Sequence, residues 1–227
     1  MTTVAIIPAR GGSKGVPRKN LRMVGEHSLL ARAVNACRNA SGIDLTVVSS
    51  DDEEILAAAK TAGAMVLRRP DELATDTATT ISVLQHSVQT LEASGHLISV
   101  IALVEPTSPF RKAELVSAAL TRFRLGDCGS VVSVMTMDRK PENIFVKRRH
   151  LQRYIKVPDE RFARRQDMAH LCRINSAVYV VRRDDLMGGT LMVEPIGYVE
   201  VDELSSINID TEADLAFAQW LAITRGL

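Results

Sequence analysis

Aromatic residues make up only 4% of this 227-residue chain, and cysteine occurs three times. So few aromatics argue against a stacking platform for single-stranded nucleic acid. Cys37, Cys128 and Cys172 are isolated, odd in number and form no CxxC pair, which argues against a zinc site or a disulfide framework. A charge excess is also missing. The formal net charge is +1, so no global field draws the chain to nucleic acid or an anionic membrane, and any electrostatic function must be local. No apolar run is long enough to span a bilayer. The N-terminus enters a strand-like run without the features of a signal peptide. The expected address is the cytoplasm, with neither nucleic acid nor membrane as a partner. Neither the GxxxxGKS/T loop of ATPases nor the GxGxxG dinucleotide fingerprint occurs.

What is present is an alternation of strand and helix patterns. The run "VAIIP" (4–8) is continuously apolar, as in a strand covered on both faces. Further strands are expected at 45–50, 64–67, 98–105, 130–135, 174–181 and 195–201. Helices are expected over 28–40, 52–62 (capped by Asp51), 79–93, 112–125 and 211–225 (capped by Asp210 or Thr211). Repeated strand–helix–strand units imply an α/β fold with a mainly parallel sheet flanked by helices. A single domain over 1–227 is expected. Ligands of such sheets bind outside the carboxyl ends of the strands, so the loops after strands are the ones to search.

The first such loop, "ARGGSKGVPRKN" (9–20), holds three glycines and four cations. Gly11, Gly12 and Gly15 let backbone N–H groups approach an anion, and Arg10, Lys14, Arg18 and Lys19 add charge, so the chemistry points to phosphate. The segment 139–173 breaks the strand–helix rhythm. It carries eleven of the 28 Lys and Arg against four acidic residues. It is either a solvated excursion or an arm that lends charge to an anionic site or a subunit contact.

The stretch "IIPARGGSKGVPRKNL" resembles the first motif of the CMP-sialic acid synthetase (acylneuraminate cytidylyltransferase) family. The likeness continues in order through "LRRPDELATDTATT", "EPTSPFR", "RRQDMAHLCRINSAVYV" and "SSINIDTEADL". It implies a Rossmann-like nucleotidyltransferase fold and a homodimer in which a basic dimerisation arm, here 139–173, reaches the partner's active site. It also implies joining of CTP to a nonulosonic acid with release of pyrophosphate and use of Mg²⁺.

By that likeness Arg10, Ser13, Lys14 and Lys19 hold the triphosphate, where fixed cations stabilise charge gained by the leaving pyrophosphate. Ala9, Gly11, Gly12 and Asn20 complete the nucleotide loop. Arg69, Ala78 and Thr80 lie near the base. Asp76 and Thr77 are read as caps of the helix that follows. Asp210 is the implied Mg²⁺ ligand, since Mg²⁺ is held by one or two carboxylates plus substrate phosphates. Arg10, Lys14, Lys19 and Asp210 are the expected catalytic set. Glu105, Arg165, Arg173, Asn175, Tyr179 and Asn208 are the expected acceptor set. Strand alternation would put Asn175, Ala177 and Tyr179 on one face.

The chain departs from the family pattern mainly on the acceptor side. Glu105 replaces a usual Gln, Asn208 stands for the first Asp of Asp-x-Asp, Ser176 replaces a Gly, and Met192 and Val193 stand where aromatics are usual. Asn208 cannot act as a carboxylate base. The acceptor is therefore read as a nonulosonic acid or another small anion, such as a phosphonate or a keto-deoxy sugar. The reading from another class is a nucleotide-binding module without catalysis.

Overall fold

The computed structural model describes residues 2–136, 145–148, 153–156 and 172–227, the two four-residue segments by backbone alone. The basic segment, and Arg165 with it, lies outside the described residues apart from those two pieces and its last two residues.

Element order follows the hydrophobic pattern. Strand β1 (Thr2–Pro8) runs into the basic loop, which holds a single 3-10 turn at Lys19–Leu21. A small hairpin of β2 (Met23–Val24) and β3 (His27–Ser28) precedes α1 (Leu29–Arg38). Next come β4 (Leu45–Ser50), α2 (Glu53–Thr61), β5 (Met65–Arg68), α3 (Thr80–Ala93), β6 (Ile98–Leu103), α4 (Ala113–Arg124) and β7 (Ser130–Thr136). β8 (Phe145–Arg148) and β9 (Arg153–Lys156) pair with each other. The chain closes with β10 (Cys172–Arg182), α5 (Arg183–Met187), β11 (Ile196–Glu200) and α6 (Glu212–Arg225).

Seven strands form one sheet in the order β11-β7-β10-β6-β1-β4-β5. All neighbours are parallel except β10, which runs antiparallel to both β6 and β7. Side-chain alternation on β1 explains the layers. Ala5 and Ile7 join the core built by α1, α2 and α4, while Val4 and Ile6 join the opposite core under α3 and α5. A third cluster seats Leu215, Ala218 and Leu221 of α6 against Val16 of the basic loop and Ile209. That packing ties the loop to the chain around Asp210. From β1 the chain passes to β4 and β5 on one side, then crosses to β6 on the other. The carboxyl ends of β1 and β6 therefore flank the switch point where open α/β sheets bind ligands.

Two helix caps differ from expectation and one open choice is resolved. The N-cap of α2 is Asp52, whose side chain accepts from the Ile55 N–H, not Asp51. The N-cap of α3 is Thr79, not Asp76 or Thr77. On α6, Thr211 and Asp214 form a reciprocal capping box, which settles the choice between Asp210 and Thr211. No helix among the described residues is long and apolar enough to cross a membrane.

Candidate active site

The loops after β1 and β6, the chain from Arg69 to Thr80, and Asp210 before α6 enclose a cleft of about 410 Å³. Arg10, Ser13, Lys14, Lys19 and Asn20 line it from the basic loop. Each cation in it is held by an oxygen. Arg10 Nη1 lies 2.8 Å from Asp76 Oδ1, and Lys14 Nζ lies 2.6 Å from Asp76 Oδ2. Lys14 and then Arg10, by hydrogen bonding, hold the Asp76 carboxyl below the usual carboxylate range. Lys19 Nζ donates to the Ile209 carbonyl at 2.8 Å and sits 3.3 Å from Asp210 Oδ1. Arg69 is buried, with Nη2 3.3 Å from Asp51 Oδ1 and Nε unpartnered. Buried Asn20 donates from Nδ2 to the Arg10 carbonyl at 3.0 Å, fixing the loop across its own bend.

The glycines divide their work in a way the sequence did not announce. The Gly11 N–H already donates to Asp51 Oδ1 at 3.2 Å, and a Cβ there would meet the Asp52 carboxylate. A Cβ on Gly15 would lie 2.1 Å from the Asp210 carbonyl oxygen. Gly15 is therefore what lets the basic loop press onto the chain at Asp210. Gly12 has open space around it. Arg18 pairs with Asp52 at 2.7 Å and with Glu54 at 2.5 Å, and takes a left-handed φ of 55°. Ala9 is wholly buried and bonds its N–H to the Ser49 carbonyl, and it lies outside the cleft lining together with Gly11 and Gly12.

A second cavity of about 360 Å³ opens beside the first, lined by Leu103, Tyr179, Thr190, Leu191 and Met192. Thr80 and Glu105 line both. Arg111, fully within the core, donates from Nη1 to the carbonyls of Glu105 (2.7 Å) and Ala177 (3.2 Å), which fixes the backbone carrying Glu105. Burial pushes the Glu105 carboxyl up, opposed by the charges of Arg111 and Lys19 and reinforced by Asp210.

The expected face of β10 does not survive. Ile174 pairs with Val134 but Tyr179 pairs with Val132, so three extra residues bulge between them. An odd insertion reverses the alternation and carries Tyr179 to the face of Ile174, opposite Asn175. Ser176 sits in the bulge at φ 61°, a left-handed backbone that glycine adopts most easily, and its Oγ lies 3.2 Å from the Tyr179 hydroxyl. Asn175 is buried, donates to the Ser205 carbonyl and accepts from the Ala177 N–H. Arg173 is exposed and directs Nε at Met135 Sδ, 2.8 Å away. Neither residue lines either cavity.

Asn208 donates from Nδ2 to Asp210 Oδ2 at 2.8 Å, while its own Oδ1 is buried without a partner. Asp210 thus presents a carboxylate at the cleft, with an unused neutral oxygen close by. No cluster of three or more His, Cys, Asp or Glu side chains suited to a metal exists among the described residues. Ala78 and Thr80 line the first cleft near Arg69. Asp76 and Asp51 are the residues that the sequence reading underrated. Asp before a helical run carries the signal of a helix cap, whereas both here hold the arginines and lysine of the cleft.

The cytidylyltransferase family model matches residues 4–210. The CMP-N,N'-diacetyllegionaminic acid synthase of Legionella pneumophila is 30% identical over 97% of this chain and 96% of its own length. The N-acylneuraminate cytidylyltransferase of Escherichia coli is 34% identical over 62% of this chain, and the match spans only 33% of that longer protein. A solved CMP:2-keto-3-deoxy-manno-octonic acid synthetase complexed with CTP has the same fold, with a TM-score of 0.73 at 17% identity and full coverage of both chains.

Proposed function

The chain belongs to the cytidylyltransferase family, and from that premise we propose that it transfers CMP from CTP to a nonulosonic acid, releasing pyrophosphate. One observation carries this reading: Arg10, Lys14, Lys19 and Arg69 converge with Asp210 on a single cleft at the switch point of the sheet. In the proposed reaction an acceptor hydroxyl oxygen attacks the α-phosphorus of CTP, loses its proton, and displaces pyrophosphate in line. Lys14 and Arg10 bind the β- and γ-phosphates, and Lys19 meets charge developing at the α-phosphoryl oxygens. Asp76 leaves Arg10 and Lys14 as the triphosphate takes its place between them. Arg69 and Thr80 read the pyrimidine edge, with Ala78 shaping the slot.

The residues present fit Mg²⁺, which takes one or two carboxylates plus substrate phosphates. Asp210 and the unpartnered Oδ1 of Asn208 are the oxygens that would hold it. When bound, the ion neutralises triphosphate charge and favours departure of pyrophosphate. The proposal includes a homodimer, with the basic segment lending Arg165 to an acceptor site. The composition of 139–173 supports this part. The test is ³¹P NMR of enzyme incubated with CTP and N-acetylneuraminic or a legionaminic acid. Expected is one phosphodiester signal and an equal amount of pyrophosphate. CTP left unchanged with every nonulosonic acid, phosphonate and keto-deoxy sugar supplied would overturn the reading.

A further inference from the structure

Glu105 lines both cavities. The other carboxylates on the first cleft are engaged, Asp76 by Arg10 and Lys14, Asp210 by Lys19 and Asn208. The Glu105 carboxylate has no hydrogen-bond partner among the described residues, and Arg111 and Lys19 act on it only as charges at a distance. Arg111 spends its contacts on two backbone carbonyls instead. The described wall of the second cavity holds no cation, only apolar and hydroxyl side chains.

A carboxylate drawn partly out of water beside such a wall is unfavourable until a partner arrives. An acceptor carboxylate laid against it would be repelled. A hydroxyl would satisfy it with a neutral hydrogen bond. A protonated nitrogen would satisfy it with a charge-assisted one, strengthened by the apolar surface of Leu103, Leu191 and Met192. We propose that Glu105 is the specificity-determining residue of the acceptor cavity, selecting a sugar acid that bears an ammonium or amidinium group. That group docks on Glu105, and the acceptor's own carboxylate turns toward the cations of the first cleft. This proposal rests on the cytidylyl-transfer reading above.

The test compares wild type with Glu105→Gln on nonulosonic acids that carry one free amine at C7 or at C9, each beside its N-acetylated counterpart. At neutral pH the amine is protonated. Wild type is expected to favour the free amine in at least one pair by about tenfold or more in kcat/KM. Glu105→Gln should bring that ratio close to unity, since the substituted side chain is isosteric and carries no charge. Transfer that proceeds with no amine preference in wild type, or with the same preference in Glu105→Gln, would overturn the proposal. Absence of pyrophosphate release with any of these acceptors would instead overturn the transfer reading, and this proposal with it.

Discussion

Four cationic side chains line the first cleft, whereas the described wall of the second cavity holds none. In the first, every cation is steadied by a carboxylate or a carbonyl, so the cationic groups are positioned before substrate arrives. In the second, the one carboxylate has no hydrogen-bond partner among the described residues, and the rest of the described wall is neutral. The contrast shows two ways of preparing a site. On the proposed reading, the first cleft holds its cations in position for a ligand whose charge is always the same, a triphosphate. The acceptor side leaves one polar group unsatisfied and lets the ligand complete it, which favours choice among similar acceptors.

If this division holds, the largest losses come from the donor side. Lys19→Ala removes the cation that bridges the Ile209 carbonyl and Asp210. It is expected to lower kcat by about 10²–10³-fold with the far-UV circular dichroism unchanged. Turnover like wild type in that variant would separate the basic loop from the chemistry. Next is Gly15→Ala, which places a methyl where the Asp210 carbonyl now sits and forces the loop away from it. Displacements of about 1 Å cost about 100-fold in rate, so kcat/KM for CTP should fall by that order in steady-state assays. The KM for the acceptor should move less, because the second cavity does not depend on that contact.

Effects on the acceptor side fall first on stability. Ser176 occupies a left-handed backbone in the β10 bulge. A β-branched residue tolerates it poorly, so Ser176→Val should destabilise by about 1–2 kcal/mol in thermal or urea unfolding. The smallest effect is at Glu105, whose folded-state carboxyl is raised above its unfolded value of 4.5 by burial. A raised carboxyl binds its proton more tightly in the folded chain, so its burial costs nothing below 4.5 and increasingly destabilises as pH rises through the folded value. Glu105→Gln should therefore melt above wild type at pH 7. Differential scanning fluorimetry across pH should show that gap closing as the pH falls toward 4. A gap that widens in acid would contradict the assigned direction.

Much of the cationic cleft was legible because its signals are local. Gly, Lys and Arg crowded into one strand-to-helix loop mark a cationic loop without any tertiary knowledge, and the mainly parallel sheet follows from the alternation of strand and helix, whereas the insertion of antiparallel β10 between β6 and β7 does not. The sheet elements at 45–50 and 130–136 match their apolar runs almost residue for residue. What was not legible depends on contacts distant in sequence. The Gly15 contact spans the chain from the first loop to Asp210, and the Asp76 bridge joins residues 66 and 62 positions apart, so neither leaves a periodic trace. The β10 bulge was hidden for another reason. "INSAVYVV" reads as an unbroken strand, and only the register against β7 reveals the extra residues that turn Tyr179 away from Asn175.

The most direct measurement of the central claim is pyrophosphate release by the wild-type protein with each of the four common ribonucleoside triphosphates, in the presence of a nonulosonic acid. The account predicts that CTP exceeds the other three by at least about 100-fold in kcat/KM, because the proposed base slot at Arg69 and Thr80 would leave unpaired groups against any other base. Equal release from ATP or GTP, or release from CTP that does not require an acceptor, would contradict it.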